Sequence, residues 1–428
     1  MLKTESIGLN WRIGVLIIIL CAAVVPRLYY LNADRNVKLA YFPGTYVGFG
    51  NKYLLGMDGM YYDKIASNIV RGRGYGYEPD TPDAWRPPGY PFFLATVYFL
   101  FGRLFYIVRF AQVCFSVMTV LIIYLLGKRI LNETAALFAS LICALYYDSV
   151  VFTFVFYSET LFTLCVAIIL YLLYSLDLLD PKAVMDKIYL LGIGLLCGYA
   201  VLIRPVFVLI LPFLFAVILI KQGVSKQTVY KIVLLGVGVA IVVIPWCVRN
   251  SIVYKKPSFI ATNGGFNFSI GFCSNAQGFF LFDGKRFTDT EQKIEKERGV
   301  LYIGLTFIKD YPLQALKLFI KKIYLQLFYP SVARNIVFLG KTKIPLFGYT
   351  PYIMILFLLG VIASFFTKPN RWYLLYAYVL GYLICYGLFF YLGDRHRIPL
   401  VIAYSLFGGY FIDRSVCFFT TRLFKTND

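Results

Sequence analysis

The sequence predicts an all-α polytopic membrane protein of about ten spanning helices, and three observations carry that reading. Of its 428 residues, 60% are hydrophobic and 15% are charged, whereas soluble domains average roughly 45–50% apolar and about 25% charged. The apolar residues gather in runs of about 20, the length a helix needs to cross a bilayer core. Lysine and arginine collect in short connections between alternate runs, which is the bias that orients spans.

Taken in order, the runs fall near 12–31, 104–127, 134–151, 159–178, 188–203, 206–221, 231–247, 349–366, 372–391 and 398–414. The first lacks a small-x-small cleavage site, so it reads as an uncleaved span rather than a signal peptide. Lys128 and Arg129, Lys182 and Lys187, Lys221 and Lys226, Lys368 and Arg371, and Arg414 and Arg422 all fall on one side if the spans alternate. That places both termini in the cytoplasm and the long segments 32–103 and 248–348 outside. The second long segment is itself basic, with 15 Lys/Arg against 6 Asp/Glu, and long translocated segments escape the charge rule. Pro88–Gly102 is too short to span and opens on prolines, so it is expected to lie in the outer interface, and Lys317–Tyr329 reads as a second helix of that kind or a distorted span.

Composition also bounds the chemistry. Forty-two Lys+Arg against 22 Asp+Glu leave a formal charge of +20, on a chain too apolar for a nucleic-acid binder, so the excess is expected to face lipid head groups or an anionic lipid-linked substrate. The nine cysteines form no C-x-x-C and the chain has one histidine, His396. Neither a disulfide framework nor a resident zinc or haem-like site is expected. A loosely held divalent cation on Asp58, Glu159 and a bound phosphate is left open.

Asp58 opens a stretch in which Tyr61, Tyr62, Ile65, Ala66 and Ile69 recur at helical spacing. A carboxylate there is either an N-cap or a general base at the membrane surface, with partial burial raising its proton affinity.

Several motifs follow in one order along the chain. Asp58-Gly-x-Tyr-Tyr-x-x-Ile-Ala precedes Gly72-Arg-Gly-Tyr75 and Trp85-Arg-Pro-Pro-Gly-Tyr-Pro91. Ser158-Glu-Thr160, Arg204-Pro205, Pro245-Trp-x-x-Arg-Asn250, Thr262-Asn-Gly-Gly265 and Gly393-Asp-Arg-His-Arg-Ile-Pro399 come after them. The set resembles the polyprenyl-phosphate-sugar-dependent glycosyltransferases of the protein mannosyltransferase and lipid A aminoarabinose transferase superfamily (glycosyltransferase family 39-like), which have the GT-C membrane fold. The resemblance implies a single GT-C-like domain over 1–428, with 32–103 as the first outer catalytic loop and 248–348 as the second outer region. It implies Asp58 as the catalytic carboxylate, Arg86 on the donor phosphate, and Glu159 as a second carboxylate that positions the acceptor or a cation. Some relatives hold zinc through an acidic residue where Trp85 stands, so that site is expected to be absent.

Three potential cations lie between Gly393 and Pro399. They are either head-group anchors or, with Arg204 and Arg249, a site for a leaving phosphate built from Arg395 and Arg397. The reading that results is a glycosyltransferase in the bacterial inner membrane, working on its outer face. It moves one sugar from a polyprenyl-phosphate donor to a hydroxyl on a glycan, lipid or protein, by inverting single displacement. The rivals are a lipid or sugar carrier or flippase, and a glycan polymerase or ligase using a diphosphate-linked donor; a carrier normally sets polar groups near the midplane, whereas here the candidates collect at outer ends.

Overall fold

In a computed structural model, each of the ten apolar runs folds as helix. Residues 2–32, 56–175, 187–278, 286–328, 336–338, 342–344, 350–366, 371–389 and 394–425 are described. In chain order the helices are α1 (Leu2–Asn32), α2 (Gly56–Val70), α3 (Gly89–Phe101), α4 (Phe105–Ile130), α5 (Glu133–Leu145), α6 (Tyr147–Val151), α7 (Glu159–Ser175), α8 (Lys187–Ile203), α9 (Phe207–Gln222) and α10 (Lys226–Tyr254). There follow α11 (Gly264–Gly271), α12 (Asp289–Arg298), α13 (Leu301–Asp310), α14 (Pro312–Phe328), α15 (Thr350–Phe365), α16 (Tyr373–Phe389), a 3-10 helix (Asp394–Leu400) and α17 (Val401–Lys425). Two three-residue strands, β1 (Ile336–Phe338) and β2 (Thr342–Ile344), pair antiparallel between α14 and α15.

Four segments among the described residues are long and apolar enough to cross a membrane: Trp11–Tyr29, Phe105–Ile130, Lys226–Tyr254 and Arg395–Thr421. The other six expected spans are shorter apolar helices. The run 134–151 is broken, because α5 stops at Leu145, Tyr146 turns extended and α6 restarts. Arg27 of α1 explains how the break is tolerated inside an apolar bundle: its Nη1 donates to the Ala144 carbonyl at 3.0 Å, satisfying an acceptor the interrupted helix leaves over. The helix expected to end at 247 runs on, since α10 continues to Tyr254. The expected cytoplasmic connections around Lys182 and Lys368, and residues 33–55 of the first outer segment, lie outside the described residues.

Packing is closest where side chains vanish. A Cβ on Gly194 of α8 would sit 2.4 Å from the Leu235 carbonyl oxygen of α10, and one on Gly238 would meet Gly194 at 2.7 Å. These glycines let two helix backbones touch, the small-residue packing that replaces a hydrophobic driving force within lipid.

The ends of the bundle differ in chemistry. At one, Arg129 donates to the carbonyls of Tyr174 and Ser175, Arg371 to that of Ile130, Arg12 pairs with Glu133 at 2.8 Å, and Asn132 caps α5 while donating to Asp413 at 2.8 Å. With Lys221 over the Tyr373 ring, the described parts of the short basic connections therefore share one end. At the other lie α2, the loop before α3, the start of α7 and the 3-10 helix. Beside this end α14 exposes Leu313, Leu316, Ile320 and Tyr324 along one face and turns Lys322 and Gln326 inward. That apolar-outward arrangement suits a helix lying against lipid.

Candidate active site

The loop from Arg71 to Pro88 is positioned by its own polar residues and by α10. Asp83 accepts from the backbone N–H groups of Tyr77 and Trp85, both at 2.9 Å. Arg249 donates to the carbonyls of Asp83 at 2.6 Å and Tyr75 at 3.0 Å, and its guanidinium lies over the rings of Tyr75 and Trp246. The Tyr75 hydroxyl in turn donates to the Arg86 carbonyl at 2.9 Å. Arg249 thus fixes the loop that presents Arg86; it also donates to the Oδ1 of its neighbour Asn250 at 3.0 Å, and none of these three partners belongs to the expected phosphate site.

α2 brings Asp58 to the same place. Asp58 is the third residue of the helix, so it is not the N-cap, and its two oxygens have other partners: Arg86 donates to Oδ1 and Arg395 to Oδ2. Arg395 arrives on the 3-10 helix, which two tyrosines of α16 hold in place. Tyr378 donates to the Pro399 carbonyl at 2.8 Å and Tyr382 to that of His396.

Glu159, first residue of α7, is 1% exposed. Arg204, in the turn between α8 and α9, approaches its Oε1 to 3.0 Å, and Arg395 Nε lies 3.7 Å from the same oxygen. The result is a chain of alternating charge, Arg86, Asp58, Arg395, Glu159, Arg204. Three guanidiniums thereby meet two carboxylates, so this cluster carries one net positive charge although every arginine in it faces a carboxylate. Tyr61 underlies Arg86 with 5.3 Å between guanidinium and ring centre, and Tyr157 underlies Arg395 at 5.1 Å.

The electrostatics reverse one expectation. Burial does raise the Asp58 pKa, but Arg395 and Arg86 together outweigh it and leave the group lowered to about 2. Tyr157 moves the other way, pushed up by burial first and by the Asp58 charge second, so its hydroxyl remains protonated.

Of the seven residues the sequence pointed to, five come together here: Asp58, Arg86, Glu159, Arg204 and Arg395. Two do not. Arg249 is the loop clamp just described. Arg397 is fully buried, with its Nε 3.2 Å from Asp148 Oδ2, an oxygen that also accepts from Tyr146. A one-residue step along a 3-10 helix turns a side chain by about a third of a revolution; two steps separate Arg397 from Arg395 and send it into the bundle. Tyr61, Tyr157 and Asp148 were missed; Tyr157 stands one residue before Ser158-Glu159, so adjacency to the motif was the available signal.

Nor do the carboxylates offer a cradle for a divalent cation. Both Asp58 oxygens and Oε1 of Glu159 already face guanidiniums, and among the described residues no three His, Cys, Asp or Glu side chains gather.

The fold is that of the GT-C membrane transferases. It is similar to AglB, the oligosaccharyltransferase of Archaeoglobus fulgidus, in complex with an inhibitory peptide and a dolichol-phosphate, with a TM-score of 0.53 at 14% identity over 97% of this chain and 51% of that one. It is also similar to ArnT from Cupriavidus metallidurans bound to undecaprenyl phosphate, with a TM-score of 0.51 at 13% identity over 95% of this chain and 60% of that one. The chain thus spans only about half to three fifths of those proteins. A family model for dolichyl-phosphate-mannose-protein mannosyltransferase matches residues 85–248. That stretch contains Arg86, Glu159 and Arg204, whereas Asp58 and Arg395 lie outside it. No curated protein sequence matches the chain.

Proposed function

We propose that this chain is a membrane glycosyltransferase that moves a sugar from a polyprenyl phosphate to an acceptor hydroxyl. The carrying observation is the cluster's net positive charge of one, three guanidiniums against two carboxylates, held at the end of the bundle away from the short basic connections. A sugar joined to one phosphate is a phosphodiester with one negative charge, which balances that excess. A diphosphate-linked donor brings a second charge that nothing in the cluster neutralises. The likeness in fold to transferases bound to dolichol-phosphate and undecaprenyl phosphate supports the same donor class.

In the step proposed, the acceptor oxygen attacks the anomeric carbon from the face opposite the phosphate, the bond from that carbon to the phosphate oxygen breaks, and its electron pair leaves with the phosphate. Asp58 takes the hydroxyl proton, and the configuration inverts. Arg86 and Arg395, with Arg204 behind them, stabilise the leaving phosphate, whose charge grows towards two as the ester becomes a monoester. Arginine suits this work because its planar fork donates two parallel hydrogen bonds to phosphate oxygens.

The purified protein offered mono- and diphosphate-linked sugars tests the reading. Transfer from the monophosphate donor is expected; transfer from the diphosphate alone, or movement of intact lipid without bond cleavage, would replace it with the ligase or the carrier. The same reading places the site outside and both termini in the cytoplasm of a bacterial inner membrane. Impermeant thiol labelling of a Lys226→Cys variant, in a background stripped of native cysteines, should then succeed only from the cytoplasmic side, and labelling from outside would invert the topology.

A further inference from the structure

Glu159 is the more deeply buried of the cluster's two carboxylates, and its place there gives it a narrower task than acceptor chemistry. Its side chain is 1% exposed, against 11% for Asp58. The oxygen that Arg204 approaches at 3.0 Å is also the one nearest Arg395, at 3.7 Å. Arg204 and Arg395 are close enough to oppose each other's charge, so an intervening anion is what allows both guanidiniums to stand side by side. The two arginines come from distant parts of the chain, one from the α8–α9 turn and the other from the 3-10 helix after α16. No backbone hydrogen bond between these two elements is present among the described residues to set their spacing.

We infer that Glu159 is a positioning residue: its buried carboxylate fixes Arg204 and Arg395 as a pair of cations set for the donor phosphate and itself touches neither sugar nor acceptor. The inference rests on the transferase reading and deepens it, because it divides the two carboxylates by role. Asp58, the more accessible of the two, handles the proton; Glu159, fully enclosed, sets the geometry of the charges that receive the phosphate. The position at the start of α7 suits this, since a helix N-terminus favours a fixed negative charge.

The sign of the effect separates this role from the alternatives. Removing the Glu159 charge raises the cluster's excess from one positive charge to two, so binding of a phosphate should not weaken, while the arginines lose their alignment. In Glu159→Gln, polyprenyl monophosphate, used as the binding probe, should bind at least as tightly as to wild type and with a steeper salt dependence. Transfer should fall about 10²-fold in kcat, as expected for misplaced transition-state donors, with the acceptor KM unchanged. Glu159→Asp, which keeps the charge one methylene back, should recover part of the loss.

Thermal melting supplies a second arm. If Glu159 serves the arginines, adding Arg204→Gln to Glu159→Gln should cost less than the sum of the two single changes, because the second substitution removes a cation the first left unpaired. That double variant also keeps the test open should Glu159→Gln alone fold poorly. A raised acceptor KM at unchanged kcat would overturn the inference, and so would strict additivity in melting. Wild-type protein that neither binds polyprenyl monophosphate nor transfers from it would instead overturn the transferase reading.

Discussion

Asp58 holds its charge between two guanidiniums, and both of its oxygens are taken. A carboxylate whose folded pKa is depressed stabilises the fold above its unfolded value, near 3.9, and loses that contribution as pH falls through the folded value, here about 2. Wild-type melting temperature in the absence of donor should therefore drop between about pH 4 and pH 2 by more than that of Asp58→Asn, and parallel curves would mean that the ion pairs carry no net stability. Near neutrality Asp58→Asn should fold and bind polyprenyl phosphate yet lose roughly 10²–10⁴-fold in turnover, the usual share of a general base; near-normal transfer would remove Asp58 from that role. The sequence showed Asp58, Arg86, Glu159, Arg204 and Arg395 because each stands in a short motif. It did not show the direction of the Asp58 shift, since Arg395, which lowers it most, lies 337 residues away along the chain. Arg249 and Arg397 fall outside the cluster for a related reason: spacing places a residue near a site, but only the backbone's turn decides whether its side chain enters it.

At the level of elements, apolar runs located the helices, while polar side chains decided where they break and how the outer segments fold. The Tyr146 break was not legible, because the run 134–151 carries no proline or glycine and Arg27, which satisfies the carbonyl the break frees, sits on another helix. The Arg71–Pro88 loop depends on Arg249 in the same long-range way. Arg249→Gln should loosen that loop, raising cleavage by trypsin at Arg71 or Arg73 and the donor KM together, whereas a direct phosphate ligand would raise KM with no change in cleavage. α14 carries a different signature. Lys322 is buried against the Phe272 ring, donates to the Gly271 carbonyl at 3.3 Å, and burial lowers its pKa to about 7. Because the unfolded chain holds that proton up to about pH 10, stability should rise between about pH 7 and pH 10 as the folded amine no longer has to be charged. Lys322→Met should flatten this rise and melt higher than wild type at pH 7; an unchanged slope would show that the ammonium is solvated.

Across the whole molecule, hydrophobicity was enough to read a helical membrane bundle, since it is a property of composition along the chain. What it could not show is how segments from α2, α7, the α8–α9 turn and the 3-10 helix converge, because that convergence rests on ion pairs among residues far apart in sequence. The converged state has a kinetic consequence. With Arg86 on one oxygen of Asp58 and Arg395 on the other, each oxygen keeps a lone pair, but an acceptor hydroxyl that approaches it must compete with a guanidinium already in place. On the proposed transferase reading, a donor phosphate would attract the same guanidiniums, weaken their hold on Asp58 and leave an oxygen available for the hydroxyl. Binding should accordingly be ordered, donor first, with acceptor affinity rising at least tenfold once donor or polyprenyl phosphate is present. By linkage the acceptor must tighten the donor by the same factor. Arg395→Gln frees one oxygen permanently, so in that variant acceptor binding should become independent of donor even as transfer falls for want of the cation. Initial rates with both substrates varied, together with direct acceptor titration with and without polyprenyl phosphate, decide the matter: random order in the wild type, or an acceptor affinity indifferent to the lipid phosphate, would mean that the paired carboxylate is no barrier to the second substrate.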